Sequence, residues 1–174
     1  MKLTIKSKNF ILRPYRKSDA KSLAKNINDR TISKNMSRVP YPYTLKMAKK
    51  FIKGSIIGYR KRKPTRINLA IDIGGEVAGG IVIGKIELGH KAGIGFWLAK
   101  QFRGRGIMAR TIKEVLKLGF NKFKLKRIEA KVFLFNKKSA QVLKIAGFKY
   151  EGLLRKDVKK GKQYLDTYLY AKVK

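Results

Sequence analysis

The sequence contains no cysteine, one histidine and ten acidic residues in a chain of 174. Without cysteine there can be no disulfide framework, no Cys-based metal site and no acyl-cysteine intermediate. One histidine and ten scattered carboxylates also argue against zinc, so no metal is expected. No uncharged apolar run approaches the 18 or so residues of a membrane span, and Lys2 interrupts the N-terminus too early for a secretory signal. We therefore expect a soluble, cytoplasmic protein.

Basic residues are in large excess. Lys and Arg number 44 against ten Asp and Glu, which gives a formal charge of +34. Ten acids can neutralise only about ten cations, so the remaining charge repels itself unless something offsets it. Nucleic acid or a ribonucleoprotein would do so through phosphate contacts. A Lys-rich genome or a salt-rich cytoplasm is the alternative, and the charge alone identifies no function.

Length and composition predict one domain, residues 1–174, with a real core, because 44% of the residues are hydrophobic. Apolar periodicity and turn residues predict the order β α α β β β α β α β β, with no repeat or linker. The fold class is therefore α+β, a mostly antiparallel sheet flanked by helices. The expected strands cover residues 9–15, 66–73, 77–87, 93–98, 127–135, 148–156 and 164–173; helices start near Ser18, Thr44, Ile107 and Asn136.

A Gly-x-Gly turn, Gly104 and Gly106, separates a predicted strand from a helix that begins at Ile107. Glycine allows close backbone approach, and the free N–H groups of the first helical turn favour an anion, so the turn is a candidate phosphate cradle. A simple tight turn is the alternative. The segment lacks the Gly-Lys-Ser/Thr of a Walker loop and the third glycine of a dinucleotide fold.

The residues around this turn resemble the GNAT superfamily of N-acetyltransferases. Gln101-x-x-Gly104-x-Gly106 is similar to the family's acetyl-coenzyme A signature, Q/R-x-x-G-x-G/A. Asn136-x-x-Ser139, followed by Ala146-Gly147-Phe148, is similar to its N-x-x-S…G-F segment. Leu12-Arg13-Pro14 with Asp19-Ala20, and Gly95-Phe96-Trp97-Leu98, resemble the branch that acetylates ribosomal-protein N-terminal alanine and serine. These anchors span residues 9–156.

The resemblance implies α/β/α layers in which two parallel strands splay and admit the pantetheine arm of acetyl-coenzyme A. It assigns the arm to backbone groups of Phe96, Trp97 and Leu98, and the pyrophosphate to Phe102, Arg103, Gly104, Arg105, Gly106 and Ile107. Asn136 would contact the pantetheine amides, and Ser139 would lie near the thioester sulfur. Asn136 could instead be a plain helix cap, and Ser139 an ordinary polar residue.

The sequence departs from the family where the catalytic acid and base are concerned. Leu143 occupies the position at which many relatives carry a tyrosine that protonates the leaving thiolate, so Ser139 or a water would serve, with Tyr150 a distant candidate. Gly93 stands where related enzymes often carry an acidic residue that is a candidate general base. Glu87 and His90 are candidates for a proton relay, or else ordinary surface residues.

The resemblance implies direct transfer of an acetyl group from acetyl-CoA to a primary amine. An α-amine has a reference pKa about 2.5 units below that of lysine, and a positive field lowers it further, which favours a protein N-terminus, of ribosomal-protein type, as acceptor. A polyamine or aminoglycoside acceptor, and a catalytically silent RNA- or ribosome-binding module, are the alternatives. Nearby nucleic acid is consistent with the charge, no membrane partner is expected, and monomer or homodimer stays open.

Overall fold

An eight-stranded sheet forms the centre of the protein in a computed structural model, which describes residues 3–174. The strands follow the order β1-β2-β3-β4-β5-β6-β8-β7, and all neighbours are antiparallel except β5 and β6, which are parallel. Their bounds are β1 Ile5–Ser7, β2 Phe10–Pro14, β3 Arg66–Ile73, β4 Glu76–Glu87, β5 Lys91–Leu98, β6 Arg127–Phe133, β7 Lys149–Lys160 and β8 Gln163–Val173.

Helices cover both faces of this sheet. They are α1 Ala20–Ile27, α2 Arg30–Asn35, α3 Leu45–Arg60, α4 Ile107–Lys117 and α5 Lys137–Ile145. Buried residues four apart, Leu23 and Ile27 in α1 and Ala48 and Ile52 in α3, place α1 and α3 over one face. The buried sides of α4 and α5 join the core on the other face. The molecule therefore has the expected α/β/α layers.

Alternation along the strands supplies both halves of the core. In β3, Leu69 and Ile71 belong to the larger apolar cluster, under α4 and α5, whereas Ala70 belongs to the smaller cluster, under α1 and α3. In β5, Ile94 faces the first cluster and Trp97 the second. Because successive side chains of a strand point to opposite faces, a sheet covered by helices on both sides needs apolar residues at consecutive positions.

A buried ion-pair group explains the Leu-Arg-Pro…Asp-Ala anchor. Arg13 of β2 is 3% exposed; it donates to Asp19 at 2.8 Å and to Asp72 of β3 at 2.6 Å. The hydrogen bonds that Arg13 donates to Asp19, and then to Asp72, raise the pKa of Arg13 above its ordinary value despite burial. The start of α1 is thereby fixed to the sheet.

The predicted order of elements is confirmed, with two additions. The sequence pattern gave no sign of β1, or of α2, which lies in the stretch predicted to be turns. Several boundaries were also wrong: β5 begins at Lys91 and not at residue 93, and β7 continues to Lys160 and not only to residue 156. Residues 17–19 form a 3-10 turn before α1, so Ser18 does not cap that helix; α4 passes into a π turn at 118–122; and β6 ends at Phe133.

Gly79 and Gly80 of β4 combine a bulge with a close approach to neighbouring groups. The β3–β4 register shifts next to Gly79. A Cβ at Gly79 would lie 2.6 Å from the carbonyl oxygen of Trp97, and one at Gly80 only 2.4 Å from the Tyr15 hydroxyl. Only glycine lets β4 lie this close to β5, so these residues set the position of β5.

Candidate active site

The two parallel strands separate at their carboxyl ends. Pairing between β5 and β6 runs from Lys91↔Arg127 to Ile94↔Ala130 and then stops. β5 continues to Leu98 and β6 to Phe133. A gap therefore opens between these strands, and α4 and α5 follow directly from its two sides. The splayed strands implied by the family resemblance are present.

Backbone groups of β5 line one edge of this gap. The N–H of Ala99 donates to the carbonyl of Ala78 at 2.9 Å, and the Trp97 carbonyl lies against Gly79, so both point towards β4. Since the backbone groups of successive residues alternate between the two strand edges, those of Phe96 and Leu98 point into the gap. The prediction for Trp97 was therefore wrong: its backbone faces β4, and its side chain lies in the core under α1 and α3.

The predicted phosphate cradle connects β5 to α4. Gly104 and Gly106 have φ values of 80° and 67°, in the left-handed region that favours glycine. No side chain caps α4, whose first helical hydrogen bond runs from the N–H of Arg110 to the carbonyl of Gly106 at 3.1 Å. The N–H groups of the first turn, beginning at Ile107, are left without helical partners and can bind an anion. Phe102 is half-buried and packs on both apolar clusters, which anchors the loop.

Gln101, the first residue of the signature, holds the loop in place. Its Nε2 donates to Oδ1 of Asn26 in α1 at 3.0 Å, and Nδ2 of Asn26 donates to the carbonyl of Val77 at 2.8 Å. The loop is thus tied through α1 to β4. Asn26 was not among the predicted site residues. Its position as a polar residue on the buried side of α1 is the one feature that could have identified it.

Three arginines surround the loop in different ways. Arg103 turns back: its Nε donates to the carbonyl of Leu98 at 2.9 Å, and its Nη2 lies 3.6 Å from Oδ2 of Asp29. Arg105 is exposed and has no ion-pair partner among residues 3–174. Arg110, which the sequence analysis missed, donates to the carbonyl of Arg105 at 2.7 Å. Its position four residues after Gly106, on the same helical face, could have identified it.

α5 supplies the other side of the gap. Asn136 caps this helix, because its Oδ1 accepts from the N–H of Ser139 at 3.2 Å. This is the helix-cap role given above as the alternative. The cap uses only the side-chain oxygen of Asn136, so its amide N–H₂ can still donate to another group. Ser139 is half-buried in the first turn. Leu143 is fully buried in the core, so it has no access to the gap. Tyr150 lies on β7, 52% exposed, with its ring edge-on to Tyr168.

Glu87 and His90 do not join this site. Nδ1 of His90 lies 2.9 Å from Oε2 of Glu87 in the turn before β5, where the carbonyl of Phe123 accepts the N–H of Gly89. Leu98 is eight residues further along the strand, ~26 Å at ~3.3 Å per residue. The proposed proton relay through this pair does not fit the geometry, because the pair is at the opposite end of β5.

The face of the gap opposite α4 and α5 is covered by α2 and the β7–β8 hairpin. Nζ of Lys160, near the hairpin tip, donates to the carbonyls of Ser33, Lys34 and Met36 at the end of α2; the last two distances are 3.2 and 3.0 Å. It also lies 6.0 Å from the ring of Phe133, the last residue of β6. We call this contact of hairpin, α2 and β6 the Lys160 clasp. Partial burial lowers the pKa of Lys160.

Asp157 is the carboxylate beside the open end of β6. It accepts from Nζ of Lys131 at 2.6 Å and from Oγ1 of Thr167 at 2.7 Å. Burial alone would raise the pKa of Asp157, but these two hydrogen bonds outweigh it and hold the pKa below its ordinary value. Asp157 is therefore a stable anion and a weak base.

All ten carboxylates of the chain are engaged. Eight form ion pairs with Lys or Arg, Glu87 lies against Nδ1 of His90, and Asp166 accepts the N–H of Lys156 at 2.7 Å. The eight are Asp19, Asp29, Asp72, Glu76, Glu114, Glu129, Glu151 and Asp157. No carboxylate at the gap is left as an unpartnered general base.

No group of three or more His, Asp or Glu side chains within residues 3–174 could hold a metal ion. None of the helices in the same range has the length and apolar character of a membrane span.

A gap between splayed parallel strands, beside an uncapped helix that follows a glycine turn, is a site for an extended ligand that carries phosphate, such as a nucleotide coenzyme. The profile of the acetyltransferase (GNAT) domain matches residues 9–149, and the chain belongs to this family. It is an acetyl-CoA-dependent N-acetyltransferase.

Among curated proteins, the chain is 46% identical over 66 residues to the probable N-acetyltransferase YjcK of Bacillus subtilis, and 30% identical over 88 residues to the putative ribosomal N-acetyltransferase YdaF of the same organism. These alignments cover 38% and 51% of this chain, and 36% and 48% of those proteins. The chain thus matches half or less of the length of each.

Two solved structures are similar over nearly the whole chain. The microcin C7 self-immunity acetyltransferase MccE, in complex with acetyl-CoA and AMP, has a TM-score of 0.87 and 26% identity, with 97% of this chain and 94% of that chain covered. RimL, a ribosomal L7/L12 α-N-protein acetyltransferase in complex with coenzyme A, has a TM-score of 0.88 at 22% identity, with 98% of both chains covered. The likeness to RimL concerns the fold.

The described residues fit acetyl-CoA as cosubstrate. The unpartnered N–H groups at the start of α4 suit a pyrophosphate, and an added Cβ at Gly104 would meet no atom within 4 Å, so the loop is open on its outer side. The free backbone edge at Phe96 suits an extended amide chain.

Proposed function

We propose that the protein acetylates the N-terminal α-amine of a protein, with a ribosomal protein as the candidate acceptor. The engagement of all ten carboxylates carries this proposal. Without a free carboxylate base at the gap, the acceptor must reach the site already neutral. At pH 7.5 about a third of α-amines are neutral, against about 0.1% of lysine side chains.

The two faces of the gap have separate roles. Acetyl-CoA supplies a thioester whose carbonyl carbon an amine can attack. The N–H groups of α4 and the side chain of Arg105 hold the pyrophosphate, and Phe96 with the amide of Asn136 orients the pantetheine arm. The acceptor then approaches from the opposite face, past the Lys160 clasp.

Two groups at the gap complete the reaction. The N–H of Leu98 points into the gap and would stabilise the oxyanion that forms when the amine attacks. As the amide forms, the amine nitrogen would pass its proton to Ser139 while the Ser139 hydroxyl donates its own proton to the departing sulfur, so that coenzyme A leaves as the free thiol and Ser139 is unchanged. Asp157, an anion on the acceptor side that Lys131 and Thr167 already engage, would not take up the proton of the amine.

Charge and similarity support the choice of acceptor. A protein at +34 repels free polyamines and aminoglycosides, since each of its carboxylates is already engaged. An N-terminus that belongs to a polyanionic assembly avoids this repulsion. The likeness to YdaF in sequence and to RimL in fold is consistent with a ribosomal acceptor.

Label transfer from acetyl-CoA tests this proposal. We expect transfer to peptides with free ribosomal-protein N-termini, and little transfer to spermidine or to N-terminally blocked forms of the same peptides. The rate should rise with pH through the pKa of the α-amine. Transfer to spermidine alone would overturn the proposal; RNA binding with no transfer to any acceptor would favour the silent-module alternative.

The Lys160 clasp yields a prediction about acceptor binding. Lys160→Met removes three charge-assisted hydrogen bonds between the hairpin and α2, so the acceptor side should loosen. We expect KM for the acceptor peptide to rise about tenfold, equivalent to about 1.4 kcal/mol, with kcat and the Kd for acetyl-CoA little changed. Lys160→Arg should restore part of the loss.

Lys162→Met is the matched control, because Lys162 is exposed in the same hairpin turn and makes no hydrogen bond or ion pair within residues 3–174. It should leave KM unchanged. An equal rise of KM in both variants, or a loss confined to acetyl-CoA affinity, would contradict the assigned role of the clasp.

A further inference from the structure

The positive charge is unevenly distributed. Between Asp29 and Asp72 the chain has no acidic residue and carries twelve Lys and Arg. All twelve are exposed, and none forms an ion pair within residues 3–174. They are Arg30, Lys34, Arg38, Lys46, Lys49, Lys50, Lys53, Arg60, Lys61, Arg62, Lys63 and Arg66. This segment therefore forms a surface whose charge the protein itself does not offset.

Five of these cations lie along one side of α3. At 100° per residue, Lys46, Lys49, Lys50, Lys53 and Arg60 fall within an arc of ~100°. They extend over 14 residues, ~21 Å at ~1.5 Å rise per residue. Duplex nucleic acid carries one charge per ~1.7 Å of its axis with both strands counted, so a duplex segment of this length carries on the order of a dozen phosphates. We call these five residues, with Lys61, Arg62 and Lys63 after the helix, the α3 basic surface.

Two more cations of this segment oppose each other. Arg66 enters β3 close to the end of α3, since its carbonyl oxygen lies 3.6 Å from where a Gly58 Cβ would be. Burial, and then the positive charge of Arg38, lower the pKa of Arg66. A like-charged pair without a carboxylate costs stability, and a bound anion would offset that cost.

A membrane surface fits this face less well than a nucleic acid. An interfacial helix needs a free apolar face beside its basic one, but the apolar face of α3, with Ala48 and Ile52, is buried against the sheet. A rigid helix with a line of cations fits the phosphate backbone of a duplex.

We propose that the α3 basic surface docks the protein on the phosphate backbone of double-stranded RNA. The choice of RNA over DNA rests on the proposed ribosomal acceptor. The basic surface is a feature of the structure and does not depend on that proposal. Docking would place the acceptor side of the gap near N-termini of RNA-bound proteins. Contacts to the backbone position a protein without reading sequence, so binding should depend on salt and little on sequence.

Fluorescence anisotropy with a labelled RNA hairpin, from 50 to 200 mM KCl and without acetyl-CoA, tests this proposal. The Lys49→Gln, Lys50→Gln, Lys53→Gln triple variant should bind at least tenfold more weakly at 100 mM KCl. The slope of log K against log salt should fall in magnitude by about 2 to 3, near 0.9 per lost phosphate contact. Lys113→Gln, Lys122→Gln, Lys126→Gln removes the same charge near α4, on the other side of the sheet, and should change the slope by less than about 1.

Equal effects of the two triple variants would overturn the proposal, because binding would then follow net charge alone. So would binding of the wild type to phosphatidylglycerol vesicles but not to RNA. Both triple variants should acetylate a free peptide at the wild-type rate. Failure of the proposed function would instead appear as absent transfer by the wild type with RNA binding intact, so the two failures are distinguishable.

Discussion

Replacing Gly106 by valine is expected to abolish acetyl-CoA binding while the protein stays folded. Gly106 has a φ of 67° at the start of α4, and a β-branched residue is strained there. The added Cβ would meet only the Arg110 side chain, at 3.7 Å, so crowding inside the protein is mild. The damage should fall on the cradle, because a side chain there obstructs close approach of the pyrophosphate to the first N–H groups of α4.

Calorimetry should show at least a hundredfold weaker Kd for acetyl-CoA, equivalent to about 2.7 kcal/mol. Gly74→Val is the matched control: Gly74 has a φ of 63° in the β3–β4 turn, with no atom within 4 Å of an added Cβ. Both variants should lose ~1–2 kcal/mol of stability to the left-handed conformation. Wild-type affinity in Gly106→Val, or an equal loss in Gly74→Val, would remove the cradle assignment.

Replacing Gly79 by alanine is expected to destabilise the protein and displace the strand that lines the gap. The new Cβ would lie 2.6 Å from the carbonyl oxygen of Trp97 and 2.8 Å from Cδ1 of Leu98. The carbonyl oxygen of Trp97 belongs to the backbone and cannot rotate away as a side chain can, so β5 itself must move. We expect the free energy of unfolding to fall by about 3 kcal/mol and the Tm by roughly 6–12 °C. Acetyl-CoA binding should also weaken, because β5 lines the gap.

Gly84→Ala provides the control in the same strand. An added Cβ at Gly84 would have ordinary contacts, 3.7 Å to Nη1 of Arg66 and 3.8 Å to Cγ2 of Val82. Its Tm should stay within about 2 °C of the wild type. A Tm for Gly79→Ala that matches Gly84→Ala would show that β4 and β5 do not need glycine at their closest approach.

Local signals predicted most of the fold. The helical spacing of apolar residues located α1 and α3, and alternating apolar runs located β3 and β4. β1 and α2 were missed because each is short: β1 has three residues and α2 has six, too few for a period to appear. Their stability comes from tertiary contacts, such as those of Lys160 with the end of α2, which join residues more than 120 positions apart.

The site was predictable where a backbone shape is encoded in glycine, and less so where a side chain chooses among partners. Gly104 and Gly106 have the positive φ values that their pattern indicated. Arg103 was expected at the pyrophosphate, but it turns to Leu98 and Asp29, contacts that no local pattern encodes. The error for Trp97 followed from strand parity: which backbone edge faces β4 depends on the register, and the sequence does not contain the register.

The choice between an α-amine and a lysine side chain can be made within a single substrate. A peptide with both a free N-terminal α-amine and an internal lysine is incubated with the enzyme and acetyl-CoA, and tandem mass spectrometry locates the acetyl group. A site without a free carboxylate base should acetylate the amine that is already partly neutral, so the acetyl group is expected on the α-amine, with the lysine unmodified. Acetylation of the lysine with the α-amine left free would contradict the account.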